Sequence, residues 1–232
     1  TQGATLLAQL FVTGRLIRLV GVGWTLAVLP LGTENLLAKY LRVGTDPAGV
    51  CEIIRQGVTV RLDVGRAADR IFLLMAGCGF DAEVVHRLHT CRRGHITRLS
   101  YAKPFLQSMR SYECPKLTVH CEVARDGQAE QEVIHARWVF VVNLPRYAGG
   151  LRLAPDAVAT DGLLDVCTFQ KGSKWSALRY LGGVLAGRHP KWKDCSMIRA
   201  RRLRVEAEAE AVYQLDGDPG GKLPVSIDVV PG

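Results

Sequence analysis

Residues 29–38 constrain the fold most, because they predict a strand, a tight turn and a helix in succession. The apolar run at 25–31 has the length of a strand, and apolar side chains recur at helical spacing after Asn35. Gly32 allows the backbone to approach a ligand closely, and Thr33 can cap the helix. Exposed N–H groups and the helix dipole then predict a phosphate site here. An ordinary strand-to-helix connection explains the same pattern, although it does not require the amide of Asn35.

Composition indicates a globular protein with reduced thiols. The chain has 232 residues, of which 48% are hydrophobic, enough for one large domain or two small ones. Arg15, Arg18 and Pro30 interrupt the longest apolar stretch and exclude a membrane-spanning helix there. No basic region with a cleavage site opens the sequence, so we expect no secretory signal. Seven scattered cysteines without a C-x-x-C pair predict a cytoplasmic protein.

A formal charge of +8 predicts an acidic partner, whether a nucleotide, a nucleic acid or an anionic membrane. Basic residues concentrate at 87–110 and 188–204, where solvated surfaces explain them equally well. Aromatic and basic residues do not alternate, so we expect no nucleic-acid partner. The stretch 92–110 has two interpretations, a membrane-surface helix or a helix that packs on the core, and the second is favoured. His86 and His89 are interpreted as a helix surface and not as a metal site.

Periodicity and turn residues predict an α/β beginning and a β-rich remainder. The chain is expected to change character near residue 45, which predicts an α/β segment at 1–45 and a β-rich domain at 46–232. The predicted helices are 5–20, 50–56, 80–88, 98–112 and 173–186. The predicted strands are 58–64, 70–76, 117–123, 134–142, 163–169 and 201–207, with turns at 77–79 and 126–127 and a closing hairpin that pairs 212–215 with 225–230.

Four motifs combine glycine with an acidic residue or an amide, at 29–38, 76–85, 143–166 and 214–219. Together, and in this order, they resemble the diacylglycerol kinase catalytic family, which includes bacterial lipid kinases and sphingosine and ceramide kinases. The resemblance runs from about residue 25 to the C-terminus. It implies an N-terminal nucleotide-binding α/β domain, of which 1–45 would be a remnant. It also implies a C-terminal two-sheet, β-sandwich-like domain with helices, at 46–232.

The resemblance assigns residues to a cleft in which ATP and a lipid headgroup meet. Gly32, Thr33 and Asn35 match a nucleotide-binding loop of the family, in agreement with the phosphate site predicted above. Phe80 and Asp81 match its G-F-D motif beside the cleft.

The resemblance further implies a magnesium site. Asp161 matches a metal-binding aspartate, and the main-chain carbonyls of Val158 and Leu163 would complete the site. Hard oxygen ligands of this kind suit Mg²⁺.

Asp218 corresponds to the glutamate of the family's D-G-E motif, the proposed general base for the lipid hydroxyl. Here the motif reads D-G-D, and the shorter side chain withdraws the carboxylate by roughly 1.5 Å, a displacement that can cost about a hundredfold in rate. Taken alone, residues 216–218 also predict a simple hairpin turn.

The family's G-G-D-G-T loop has only Gln2, Gly3, Ala4 and Thr5 at the corresponding place, without the aspartate. This departure suggests a fragment or mis-started form of a longer kinase, or a degenerate relative. Three functions therefore stay open: an ATP- and Mg²⁺-dependent lipid kinase, an inactive relative that binds lipid or a partner, and an NAD kinase-like enzyme. The first implies ATP and a lipid at a membrane surface as partners, with peripheral attachment, and leaves a homodimer open.

Overall fold

The structure is a computed structural model that describes residues 27–31, 34–91, 98–125, 128–147 and 150–232. Five α-helices occur in these segments: α1 (Leu36–Tyr40), α2 (Pro47–Gln56), α3 (Phe80–Cys91), α4 (Ala102–Ser111) and α5 (Lys174–Leu185). The same segments contain thirteen strands: β1 (Val64–Ala67), β2 (Arg70–Phe72), β3 (Met75–Gly79), β4 (Leu117–Arg125), β5 (Gln128–Ala136), β6 (Trp138–Val142), β7 (Arg146–Tyr147), β8 (Leu151–Arg152), β9 (Leu164–Phe169), β10 (Cys195–Ala207), β11 (Val212–Leu215), β12 (Asp218–Lys222) and β13 (Val225–Val230).

One antiparallel sheet organises the described part of the chain. Its order is β12-β11-β3-β6-β9-β10-β13-β1-β2, with β4 beside β10 and β5 beside β4, and β7 pairs with β8 separately. Side chains from one face of β1, β4, β10 and β13 join those of β3, β6 and β11 in a single buried cluster. The sheet therefore curls around this cluster and gives the β-sandwich-like domain that the resemblance implied.

Strands β6 and β9 are buried on both faces, and every residue of each is buried. Their second face meets a cluster of large apolar side chains from helices α3, α4 and α5, in which Phe80 stacks on Trp138 with ring centroids 4.8 Å apart. Phe105 of α4 meets Phe80 edge to face at 5.5 Å. The core-packing interpretation of the stretch 92–110 therefore holds for its described helix, α4. No helix in the described ranges is long and apolar enough to cross a membrane.

Side-chain caps fix the beginnings of two helices: α5 begins where the sequence predicted it, whereas α2 begins three residues before the predicted start at Val50. The carboxylate of Asp46 accepts a hydrogen bond from the Gly49 N–H at 2.6 Å and begins α2. The hydroxyl of Ser173 accepts from the Ser176 N–H at 3.1 Å and begins α5. These bonds satisfy donors that have no partner within the first helical turn.

Several predicted elements are wrong in register or pairing. Residues 77–79 continue strand β3 and do not turn, because β6 and β11 hydrogen-bond on either side of them. The predicted closing hairpin is also wrong: β11 pairs with β12, whereas β13 pairs with β10 and β1. Local turn residues indicate where a strand ends, but pairing depends on neighbours that are distant in sequence.

Other boundaries shift by smaller amounts. The predicted strand 58–64 begins only at Val64, and the predicted strand 134–142 is divided at Arg137 into β5 and β6. Within the apolar run 25–31, residues 27–31 have no strand assignment. An apolar run forms a strand only when a neighbour completes its hydrogen bonds. The helix at 5–20 and the turn at 126–127 lie outside the described residues.

Candidate active site

A two-residue turn positions Asp218 at the start of β12. Leu215 pairs with Asp218 in the ladder, so only Asp216 and Gly217 form the loop. Both have positive φ, 50° and 89°, as a type I′ turn requires, and Asp-Gly is a preferred sequence for that turn. The motif is therefore a hairpin turn, and the same turn carries the candidate base. Asp218 is only 6% exposed.

Asp216 fixes this turn to the loop before β3. Its carboxylate accepts hydrogen bonds from the backbone N–H groups of Leu73, Leu74 and Met75 at 2.7, 2.9 and 2.8 Å. Burial raises the pKa of Asp216 to about 6, against the opposing effect of these three donors, and the nearby charge of Asp218 adds to the rise. Three backbone donors restrict the movement of the turn and thereby fix the position of Asp218, which follows it.

Asp81 of the G-F-D motif lies at the centre of a second set of contacts. Its carboxylate accepts hydrogen bonds from the Tyr147 hydroxyl and, at 2.9 Å, from the amide of Gln214. Burial raises the pKa of Asp81, and these two donors act in the opposite direction. Gly77 provides the space, since a Cβ at that position would lie 2.4 Å from the Asp81 carboxylate.

Gln214 and His89 extend these contacts to the candidate base. The Gln214 side-chain oxygen accepts from the Gly217 N–H at 2.7 Å. His89 Nε2 lies 3.2 Å from the Gly217 carbonyl oxygen and 3.4 Å from Asp218 Oδ1. Both neighbours of Nε2 are acceptors, so this nitrogen carries the proton. His89 therefore donates to the Gly217 carbonyl, and its ring lies beside the Asp218 carboxylate.

The loop predicted to hold magnesium surrounds Asp161. Asp161 Oδ1 accepts from the Leu163 N–H at 3.0 Å, and Oδ2 lies 3.6 Å from Arg199. Burial raises the pKa of nearby Asp165 to about 6, and the charge of Asp161 contributes to the rise although Arg199 opposes it. No cluster of three His, Cys, Asp or Glu side chains suited to a metal occurs in the described residues. A site of one carboxylate with the carbonyls of Val158 and Leu163 nevertheless has the hard oxygen donors that suit Mg²⁺.

The N-terminal motif contacts the same loop. Gly32 and Thr33 lie outside the described residues. Asn35 precedes α1 in a left-handed conformation, and its amide donates to the Pro30 carbonyl at 3.0 Å, closing the loop between them. One turn later, the Tyr40 hydroxyl accepts from the Ala159 N–H at 3.3 Å. The motif and the Asp161 loop are therefore neighbours.

Asp63 and Asn143 connect the two halves of the site. The Asp63 carboxylate accepts from the Gly162 N–H at 2.7 Å. The Asn143 amide donates to the carbonyls of Asp63 at 2.7 Å and Leu73 at 3.0 Å. Leu73 in turn donates its N–H to Asp216. A continuous set of hydrogen bonds thus runs from the Asp161 loop to the turn that carries Asp218, and joins the motifs at 143–166 and 214–219.

Sequence reasoning missed the residues that make these connections. His89 was interpreted as a helix surface, yet only its neighbour His86 is exposed. The signal was present, because Asp81 and His89 are eight residues apart and lie along one i, i+4 row of α3. Asp63 and Gln214 gave no local signal, since their partners lie far away in the chain.

Comparison with known proteins decides the family. A profile of the YegS C-terminal NAD kinase beta sandwich-like domain matches residues 75–232, and one of the diacylglycerol kinase catalytic domain matches residues 11–67. A diacylglycerol kinase from Mycobacterium tuberculosis is 30% identical over 219 residues, which cover 92% of this chain and 69% of that protein. This chain belongs to the diacylglycerol kinase family.

Other members of the diacylglycerol kinase family agree with this assignment. The diacylglycerol kinase of Bacillus subtilis is 28% identical over 202 residues, covering 86% of this chain and 64% of that protein. A crystal structure of a diacylglycerol kinase from Bacillus anthracis has a TM-score of 0.59 at 20% identity, covering 92% of this chain and 66% of that chain. This likeness shows that the fold is shared. The chain thus spans about two thirds of the length of these relatives.

Proposed function

We propose that this member of the diacylglycerol kinase family takes part in transferring the γ-phosphoryl group of ATP to a lipid hydroxyl, with Asp218 as the general base. One observation carries the proposal: the buried Asp218 carboxylate directly follows Gly217, which Gln214 and His89 hold by hydrogen bonds, and His89 Nε2 lies 3.4 Å from that carboxylate. Phosphoryl transfer requires mainly positioning, neutralisation of charge and one proton acceptor. Asp218 suits the last role, because its carboxylate begins β12 directly after the Asp216 turn and lies beside His89.

The proposed nucleotide site is the loop that contains Gly32, Thr33 and Asn35, within an α/β segment at residues 1–45 that precedes the β-rich domain at 46–232. The contact between Tyr40 and Ala159 supports a phosphate position close to the Asp161 loop.

Asp161, with the carbonyls of Val158 and Leu163, would hold Mg²⁺. When bound, the metal would neutralise phosphate charge.

The proposed acceptor is a diacylglycerol or a sphingoid-type lipid. The curated relatives above are named diacylglycerol kinases, which supports a glycerolipid. The acceptor hydroxyl must come within hydrogen-bond distance of Asp218 for its proton to be removed.

The second candidate is a protein that binds lipid or a partner without transfer. The low exposure of Asp218 and its shorter side chain compared with the family's glutamate favour this candidate, since both reduce the reach of the carboxylate.

A transfer assay separates these functions. The chain would be incubated with ATP, Mg²⁺ and diacylglycerol, sphingosine or NAD⁺ as acceptors, the lipids dispersed in detergent. We expect phosphatidic acid, and we expect Asp218→Asn to lower its rate of formation by about a hundredfold or more. Asp69→Asn, at an exposed turn, is the matched control. ATP binding without any phosphorylated lipid would instead indicate the non-catalytic protein, and phosphorylated NAD⁺ the NAD kinase-like enzyme.

A further inference from the structure

Helix α5 has two faces of opposite character. Its buried face consists of small and aromatic residues that pack on the core: Ser176, Ala177, Tyr180, Gly183 and Val184. Its other face carries four large apolar side chains in solvent, with relative exposures of 82% for Trp175, 48% for Leu178, 36% for Leu181 and 65% for Leu185. Their spacing of three, three and four residues places them in one stripe along the helix. Scattered exposed leucines are ordinary, but a contiguous stripe that includes an exposed tryptophan marks an interaction surface.

Basic residues lie beside this stripe. From Gln170 to Lys193 the sequence contains six lysines and arginines and no aspartate or glutamate. Lys174, Lys191 and Lys193 are exposed, and Arg179 borders the stripe on α5 itself. The first acidic residue after this segment, Asp194, is paired with Arg179 at 2.6 Å. The surface therefore combines an apolar stripe with basic residues at its border.

We propose that the α5 stripe, Trp175, Leu178, Leu181 and Leu185, binds the surface of an anionic lipid bilayer, with the helix parallel to the membrane. Leucine and tryptophan side chains would enter the boundary between headgroups and acyl chains, while the basic residues would contact anionic headgroups. The inference deepens the proposed function, on which it rests for its biological meaning, since it specifies how the chain reaches a lipid in a membrane.

Charge favours a membrane over a second copy of the chain. A symmetric dimer through this face would bring the same patch from both protomers together. The basic residues at its edge would then face one another, which is unfavourable. An anionic bilayer satisfies both the apolar centre and the cationic rim.

Vesicle co-sedimentation tests the inference. The probes are vesicles of phosphatidylcholine mixed with phosphatidylglycerol, and vesicles of phosphatidylcholine alone. We expect the wild-type chain to bind the mixed vesicles more tightly and to release them at high salt. The double variant Trp175→Ser/Leu178→Ser should lower the partition coefficient by about tenfold or more, because two large side chains no longer leave water. Ile53→Ser/Ile54→Ser, which alters exposed apolar residues of α2, is the matched control and should bind like the wild type.

A second variant tests the cationic part independently. Lys191→Glu/Lys193→Glu leaves the stripe intact and should weaken binding to the mixed vesicles by about tenfold or more. Circular dichroism would establish that each variant is folded.

The inference is overturned if both double variants bind like the wild type, or if binding is equal for neutral and anionic vesicles. It is also overturned if sedimentation velocity shows a wild-type dimer that Trp175→Ser/Leu178→Ser converts to a monomer without any loss of vesicle binding. Activity on a detergent-dispersed lipid separates the two proposals. If the wild-type chain binds vesicles but transfers no phosphoryl group, only the kinase proposal is refuted. If a stripe variant is active in detergent and binds vesicles like the wild type, only the proposed membrane-binding surface is refuted.

Discussion

Gly77 controls the space in which Asp81 meets Gln214. A Cβ at this position would lie 2.4 Å from the Asp81 carboxylate and 2.9 Å from the Gln214 amide. Both atoms are fixed by other hydrogen bonds, Asp81 by Tyr147 and Gln214 by Gly217. Because neither side chain can move without losing a partner, the glycine is required by its neighbours and not by its backbone angles.

We therefore expect Gly77→Ala to lower the free energy of unfolding by about 2 kcal/mol, the usual cost of overpacking. Gly182→Ala is the matched control, because a Cβ there meets nothing within 4 Å and alanine favours the α5 helix by about 0.5–1 kcal/mol. Urea denaturation of both variants measures the difference. Equal stability of the two variants would show that Asp81 is not held as described.

At the scale of single elements, a partly exposed ionic contact holds α5. Arg179 donates to both oxygens of Asp194 at 2.6 and 3.0 Å, and the Tyr180 hydroxyl donates to the same carboxylate at 2.9 Å. The Arg179 hydrogen bonds lower the pKa of Asp194 to about 2, with a further contribution from Tyr180. Asp194 directly precedes β10, so this contact joins the helix to the longest strand.

We expect Asp194→Asn to reduce the free energy of unfolding by about 1 kcal/mol at pH 7. The effect is modest because solvent around the partly exposed Arg179 screens its attraction to Asp194. A carboxyl group with a lowered pKa stabilises the folded state above its ordinary pKa, near 4, and this stabilisation disappears as the pH falls toward about 2. The difference between wild type and variant should therefore shrink over that window in urea titrations. Glu210→Gln, which breaks an exposed pair with Lys222, should change stability little. A difference that grows on acidification would contradict the assignment.

Local sequence patterns correctly predicted the helices and strands that are marked by a capping residue or by the periodicity of their own apolar residues. Helix α5 begins at the capping Ser173, and β9 coincides with the predicted strand at 163–169. The prediction failed where distant partners decide the structure. Gly77, Cys78 and Gly79 have the composition of a turn, yet strands on both sides continue the ladder through them.

The sequence predicted those residues of the candidate site that belong to a recognisable motif. Asp81, Asp161 and Asp218 belong to motifs with glycine and acidic residues, and the structure positions each of them on a constrained turn or helix. Asp63 and Gln214 were not predicted, because a hydrogen bond between distant residues leaves no periodic pattern in the sequence. Their roles follow only from the sheet order that brings β11 beside β3.

For the whole molecule, phosphoryl transfer requires that nucleotide, metal and base act in one place. Hydrogen bonds from Gly162 through Asp63 and Asn143 to Leu73 connect the Asp161 loop with the Asp216 turn. Helix α1 reaches the Asp161 loop through Tyr40 and Ala159.

Calorimetry of ATP binding tests this connection. We expect ATP to bind in the presence of Mg²⁺. Asp161→Ala should weaken this binding by about tenfold or more, since loss of even an outer partner of a metal costs that much. Thr33→Ala should also weaken it, because the variant lacks a hydroxyl of the proposed phosphate loop. Asp69→Ala is the control and should bind like the wild type. Undiminished Mg²⁺-dependent binding by Asp161→Ala would exclude the proposed metal site.

The most direct test of the central claim compares the turnover number of three forms in the lipid-phosphorylation assay: wild type, Asp218→Asn and Asp218→Glu. If Asp218 is the general base, kcat of Asp218→Asn should fall by about a hundredfold or more while the affinity for ATP is unchanged. Under the same role, Asp218→Glu, which restores the longer carboxylate of the family, should have a kcat equal to or above that of the wild type. An Asp218→Asn variant with the wild-type kcat would contradict the account.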